Sequence, residues 1–413
     1  MTRPGILKRV LLCTGLLTAV PGHAVSMLDN EGALSIRGFG TLGIAYNSTD
    51  NAGFIRDINQ PEGARGGTSG HIDSRVGLQA TFKASDTLEG TVQIVSRYNY
   101  TGEYDPELAW GFAKYSPSEH IQLRAGRLGW DVYMLADSRD VGFSYLWVRP
   151  PVEYYGLLQF SKLNGADLVL RKPLGQGLLW GKLFVGKADD KLAIDEDSYA
   201  DVSGSELVGG HINYQLRDWQ FRLGYTHLEL GYDIKGDFGD LIDMLESSGN
   251  PVLSGIAAGA TADATYHFMS AGIAFDSGPL QSQLMYTYLD SESDMVPDFH
   301  NGYLSAGYRL GDWTPYITFS MIESRSDIGA ATPPTTPLPP SLGTFTMAGF
   351  NNPGQHTLSL GVRYDFLPNM AVKLQVDRSN VRREGRQWML WRDVDPDWDG
   401  RATIFSATLD FVF

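Results

Sequence analysis

The sequence predicts a closed, antiparallel transmembrane β-barrel, and three observations carry that expectation. Over the last thirteen residues Thr403, Phe405, Ala407, Leu409, Phe411 and Phe413 fall on one face of a period-two pattern, with Ile404, Ser406, Thr408, Asp410 and Val412 on the other. After the N-terminal region no run of about eighteen apolar residues occurs, which excludes spanning helices but not weakly hydrophobic alternating strands. Short and long connections also take turns along the chain, as in a barrel with tight turns at one rim and long loops at the other.

Residues 1–24 read as a secretory signal peptide. Arg3, Lys8 and Arg9 make the positive start, Val10 to Val20 the apolar run, and Pro21-Gly22-His23-Ala24 the cleavage region. Cys13 is the single cysteine and would leave with it, so no disulfide is expected in residues 25–413. Removing that segment leaves 30 basic against 48 acidic side chains, a formal charge of −18, which argues against a nucleic-acid partner. The 47 Gly, 20 Tyr, 19 Phe and 9 Trp suit many strands, tight turns and aromatic belts.

The first strand is expected at Leu34 to Tyr46, followed by a long Gly-rich polar loop and a strand at Ser74 to Phe82. Ser85-Asp86-Thr87 turns into a strand reaching Tyr100, and Pro117-Ser118 joins Leu108–Tyr115 to Ile121–Arg127. After an interruption from Leu128 to Gly165, hairpins resume: Ala166–Lys172 with Leu178–Gly186, Leu207–Leu216 with Trp219–Leu230, and Thr265–Phe275 with Leu280–Leu289. Gly302–Leu310 pairs with Trp313–Ser324, and Thr357–Phe366 with Met370–Arg378. A loop rich in proline, Pro333 to Pro340, cannot be a strand. With the terminal strand the count reaches sixteen, and Tyr115, Tyr214, Trp219, Phe275, Tyr308, Trp313 and Phe366 cluster beside the short turns as an interfacial belt.

The faces opposite the apolar ones carry Arg75, Arg97, Arg124, Arg171, Lys182, Arg222, Arg309, Arg363 and Lys373, with Glu89, Asp167, Asp365 and Asp377 among them. So many charges require water in the lumen. The interruption at 128–165 is too rich in Trp130, Tyr133, Phe143, Tyr145, Trp147, Tyr154 and Tyr155 to trail in solvent, so it is expected to fold inward as a constriction. Asp131, Asp137, Asp140, Arg149 and Glu153 would then stand at that constriction against the basic wall.

The chain resembles the sixteen-stranded general porins of Gram-negative outer membranes, a less studied proteobacterial branch of them. The resemblance rests on the signal peptide, Ile36-Arg37-Gly38-Phe39-Gly40-Thr41-Leu42, Leu123-Arg124-Ala125-Gly126-Arg127-Leu128, the Asp140 to Glu153 segment and the terminal Phe413. It implies a homotrimer of separate pores in outer-membrane lipid and lipopolysaccharide, with the third loop folded inward. It also implies that Leu409, Phe411 and Phe413 form the signal read by the barrel insertion machinery. The expected function is passive diffusion of small hydrophilic solutes. A selective sugar or organic-anion channel and a plugged adhesin or structural barrel are the alternatives.

No hydrolase elbow, phosphate loop or zinc-protease motif occurs, and no cofactor or metal is expected. His211, His227 and Ser270 are too scattered to make a triad without a geometric reason. Asp395-Pro396-Asp397-Trp398-Asp399-Gly400 begins like a calcium loop, but Ser406 stands where its final Glu is needed, so an acidic solvated loop is the plainer reading.

Overall fold

The computed structural model describes residues 33–158, 160–292, 296–325, 354–382 and 390–413. The expected signal peptide and the proline-rich loop lie outside them. Sixteen strands close one antiparallel barrel. They are β1 (Leu34–Asn47), β2 (Arg75–Lys83), β3 (Leu88–Arg97), β4 (Pro106–Ser118), β5 (Ile121–Gly129), β6 (Lys162–Leu174), β7 (Gly177–Ala188) and β8 (Glu206–Leu216). The second half comprises β9 (Trp219–Leu230), β10 (Ala264–Ser277), β11 (Leu280–Ser291), β12 (Phe299–Tyr308), β13 (Trp313–Ser324), β14 (Gly354–Leu367), β15 (Met370–Val381) and β16 (Arg401–Val412).

Each strand pairs with its sequence neighbour, and β16 closes on β1 from Phe39↔Val412 to Asn47↔Ile404. Closure leaves no edge in the barrel wall. Phe413 extends the seam, since the Gly38 N–H donates to its carbonyl at 2.8 Å and its own N–H donates back to Gly38 O at 2.9 Å. Its ring lies where a Cβ on residue 38 would sit, so glycine is needed for this close approach.

The expected alternation holds around the wall. Leu42, Ile44, Leu78, Leu183, Leu223, Leu304, Leu360 and Phe405 stand exposed on the outside. An apolar exterior on a closed barrel is matched to lipid, because the wall backbone pairs strand to strand around the whole sheet. Trp313 stacks on Tyr364 at 4.2 Å and Trp219 packs on Phe275 at 4.6 Å beside the short turns, where an interfacial belt belongs.

Three loops differ from the sequence expectation. The first long loop is not wholly polar and external: Ala52, Phe54, Ile55, Ile58 and Ile72 are buried. Gly53–Phe54 pairs with Trp391–Arg392 of the last loop, whose Trp391 and Trp398 are also buried, so the two loops interlock above the lumen. Between β9 and β10 the chain forms two helices, α1 (Asp237–Ser247) and α2 (Pro251–Thr261), packed through Ile242, Leu245 and Ala257. Asn250 caps the second by accepting from Val252 N, with Pro251 at its first position.

Candidate functional site: the segment inserted in the lumen

β5 runs to Gly129 and β6 begins at Lys162, so the inserted segment is 130–161, slightly shorter than the sequence suggested. It enters the barrel because its aromatic residues have partners only there. Trp130 stacks on Phe160 at 4.3 Å and meets the edge of Phe268 on β10. Tyr133, Tyr154 and Tyr155 pack on one another and on Tyr303 of β12, while Trp147 donates from Nε1 to Ser305 Oγ at 2.8 Å and Thr318 Oγ1 at 3.0 Å. This packing fills the lumen along β10–β13.

Buried ion pairs fix the segment in register. Arg149, 2% exposed, donates from Nε to Asp73 Oδ1 at 3.0 Å, from Nη2 to Asp73 Oδ2 at 2.5 Å and from Nη1 to Asp377 Oδ2 at 2.9 Å. Glu153, 1% exposed, accepts from Ser320 Oγ at 2.6 Å, from Gln355 Nε2 at 2.7 Å and from Thr357 Oγ1. Asp131 accepts from Lys182 Nζ at 2.6 Å and Arg222 Nη2 at 3.0 Å, and faces His211 Nε2 at 3.1 Å. Burial opposes its ionisation, but Arg222 and Lys182 outweigh that and hold the Asp131 carboxyl well below the usual range.

These contacts separate roles that the sequence placed together. Arg149 and Glu153 were expected to face the passage; instead they are buried anchors joining the segment to the wall. Asp131 meets the basic wall through Lys182 and Arg222. Asp137 is exposed within the lumen. Asp140, 20% exposed, lies 3.5 Å from Arg97 Nη1 and 4.0 Å from Arg75 Nη1. Burial would raise the Asp140 carboxyl, but Arg97, Arg139 and Arg75 bring it down to about 2.

The other expected wall residues all point inward. Arg363 donates from Nη1 to the carbonyls of Phe143 and Tyr145 at 2.8 and 2.9 Å, so it too holds the segment. Arg124 is chelated by Asp167 on the adjacent strand, Arg171 reaches Gln122 Oε1 at 3.4 Å, and Arg309 pairs with Asp276 at the turn rim. Sequence reasoning missed Arg56, Asp73 and Arg139. Arg56 bonds Tyr145 OH at 3.2 Å and Arg139 O at 3.1 Å. The apolar run Phe54-Ile55 in a loop otherwise rich in Gly was the available signal that this stretch turns inward.

Lys373 and Asp410 form a further anchor, with Lys373 Nζ donating to Gly142 O at 2.7 Å and Trp147 O at 2.8 Å. A Cβ at Gly142 would overlap Asp410 and Thr41, so only glycine lets the segment lie this close to the wall. His211, His227 and Ser270 do not assemble. Both ring nitrogens of His211 are taken, by Asp131 and Asn213, while Ser270 donates to Val132 O and His227 stands with Glu229 on the outer face. In the last loop Asp395 accepts from Arg65 Nη2 at 2.8 Å. Among the described residues no group of three or more His, Cys, Asp or Glu is placed to hold a metal ion.

The remaining inward charges are graded. Arg222 on β9 and Lys373 and Asp377 on β15 are sealed under the segment, whereas Arg97, Glu107, Lys114, Glu89 and Arg124, on β3–β5, keep partial exposure, as do Arg363 and Asp365 on β14. These partly exposed charges lie on the inner face of β3–β5, from Arg97 near the loop end to Glu89 and Lys114 near the turns.

No protein-family model and no curated protein sequence matches the chain. Solved structures do match. OmpF of Salmonella typhi, solved with daunomycin, aligns with a TM-score of 0.57 at 14% identity, covering 94% of this chain and 99% of that one. OmpT, an outer-membrane protein of Vibrio cholerae, aligns with a TM-score of 0.54 at 12% identity over 95% of this chain and 100% of its own. An anion-selective porin from Comamonas acidovorans aligns with a TM-score of 0.53 at 13% identity over 92% and 99%. Closed strand order, apolar exterior, inserted third loop and these alignments agree: the chain has the sixteen-stranded, porin-like fold of Gram-negative outer-membrane barrels.

Proposed function

We propose that the chain is an outer-membrane pore for passive diffusion of small hydrophilic solutes and ions, acting without a cofactor and not as an enzyme. The partly exposed charges on β3–β5 carry this reading. Charged side chains on an inward wall need water beside them, and a continuous line of them between the rims supports an aqueous path. Arg97, Asp140 and Asp137 would border that path beside the inserted segment. Arg149, Glu153 and Asp131 act indirectly, by holding the inserted segment against the opposite wall.

Residues 1–24 would direct export, and the terminal Leu409, Phe411 and Phe413 would guide insertion. A homotrimer fits, since OmpT of Vibrio cholerae occurs in a trimer form. Liposome swelling with sugars of increasing size tests the pore: swelling should follow solute size and require no energy source. The interlocked Phe54 and Trp391 above the lumen favour a second reading, a plugged barrel acting as a structural protein or adhesin. Liposomes that fail to swell with the smallest sugars would support it.

A further inference from the structure

On the outer face of the wall, His227 of β9 stands directly opposite His267 of β10, at the ends of these strands nearest the long loops. Side chains paired across antiparallel strands start about 4.5–5.5 Å apart at Cβ, so two histidines there share one small volume. Their ring centres lie 5.1 Å apart. An imidazole nitrogen binds zinc at about 2.0–2.1 Å, which puts each ring centre about 3.2 Å from the ion and, at a tetrahedral angle, the two ring centres about 5.2 Å from each other. The observed spacing matches that of two ligands on one tetrahedral ion.

Each ring also has a neighbour at one of its nitrogens. Tyr225 Oη lies 2.8 Å from Nδ1 of His267, and Glu229 Oε1 lies 3.5 Å from Nε2 of His227. Metal-binding imidazoles are oriented in this way, with one nitrogen on a fixed partner so that the lone pair of the other points at the ion. Among the described residues no hydrogen bond occupies His267 Nε2 or His227 Nδ1. Both rings are partly exposed, so an ion reaches them from the water at the loop rim. We propose that His267 Nε2 and His227 Nδ1 bind one divalent cation of the zinc class, with Tyr225 and Glu229 orienting the rings and water in the two remaining positions. Imidazole ligands favour zinc over magnesium and calcium, which take oxygen donors. The ion would clamp β9 to β10 at the two ends of the loop that carries α1 and α2. The site lies on the outside of the barrel and is independent of the pore reading.

Isothermal titration of zinc chloride into the untagged full chain in detergent tests the site. Zinc should bind saturably, and excess magnesium should not displace it. Y225F, which removes only the phenol oxygen behind the His267 ring, should weaken zinc about tenfold. H227Q and H267Q should each weaken it further, because each removes a ligand. H120Q, at an exposed histidine beside Glu119 in a short turn of the opposite rim, should leave it unchanged. No saturable zinc binding, or binding that H227Q and H267Q leave as it was, would overturn the proposal. Should either variant fail to assemble, zinc-edge X-ray absorption of the unaltered chain at one zinc per chain decides: two imidazole nitrogens on a tetrahedral ion support the site, and fewer than two refute it.

Discussion

The guanidinium of Arg149 and the carboxylate of Asp73 meet in a two-pronged ion pair, Nε to Oδ1 at 3.0 Å and Nη2 to Oδ2 at 2.5 Å, with both side chains sealed from solvent. One partner belongs to the inserted segment and the other to the first loop, so this pair ties the two inward-turned loops together. Burial opposes the charge on Asp73, but Arg149 and Arg56 hold its carboxyl below the ordinary range.

Arg149→Met therefore leaves Asp73 and Asp377 buried without their main partner. Breaking such a pair typically costs about 3–5 kcal/mol. The expected result is a loosened segment: faster proteolytic nicking within 130–161 and noisier, larger single-channel steps, with the barrel still assembled. Unchanged nicking and unchanged steps would show that the aromatic packing alone holds the segment.

Asp140 offers a pH test. Its carboxyl sits at about 2 in the folded protein against an ordinary value of 3.8. Because the folded value is depressed, its ion pairs are present above pH about 4 and are lost as pH falls toward 2. Asp140→Asn should thus shift the reversal potential toward anion preference at pH 7. The difference from the unaltered chain should persist to pH about 3 and vanish only below that. A difference that disappears between pH 5 and 6 would contradict the arrangement.

Leu223 is 66% exposed on the outer face of β9. Arginine on the lipid face near the bilayer midplane costs about 2–4 kcal/mol, whereas an exposed site on a water-soluble protein tolerates it. L223R should lower stability by that amount in urea titrations of the chain folded into lipid vesicles. A change under about 0.5 kcal/mol would count against a lipid-facing wall.

Deleting Phe413 removes the reciprocal backbone bonds to Gly38 and the ring packed over it. Assembly yield in the membrane should fall, while the pores that do form keep their selectivity, because nothing at the level of Asp140 is touched. Altered selectivity in the surviving pores would overturn this division between closure and passage.

Strand placement was legible in the sequence because the wall obeys one local rule. Trp219–Leu230 and Trp313–Ser324 were read residue for residue, since apolar outward positions alternate with polar inward ones up to a turn. The strands at 106–118 and 162–174 were read short, where Pro106, Lys162 and Asn164 hide the pattern. Aromatic density correctly sent the segment near 130–161 inward, where Asp131 and Asp140 lie beside basic wall residues. The sequence could not separate Arg149 and Glu153, which are buried, from Asp137, which is exposed. That distinction depends on Asp73, Ser320, Thr357 and Asp377, residues far away in the chain. The inward turn of Phe54 and Trp391 was likewise hidden, because their contact joins two loops far apart in the chain.

Single-channel recording of the purified full chain in planar bilayers tests the central claim most directly. The account predicts stepwise, ohmic conductance in KCl that needs no ligand and no energy source. A barrel that inserts stably and stays silent in KCl would contradict it, and would make the interlocked loops a plug rather than a vestibule.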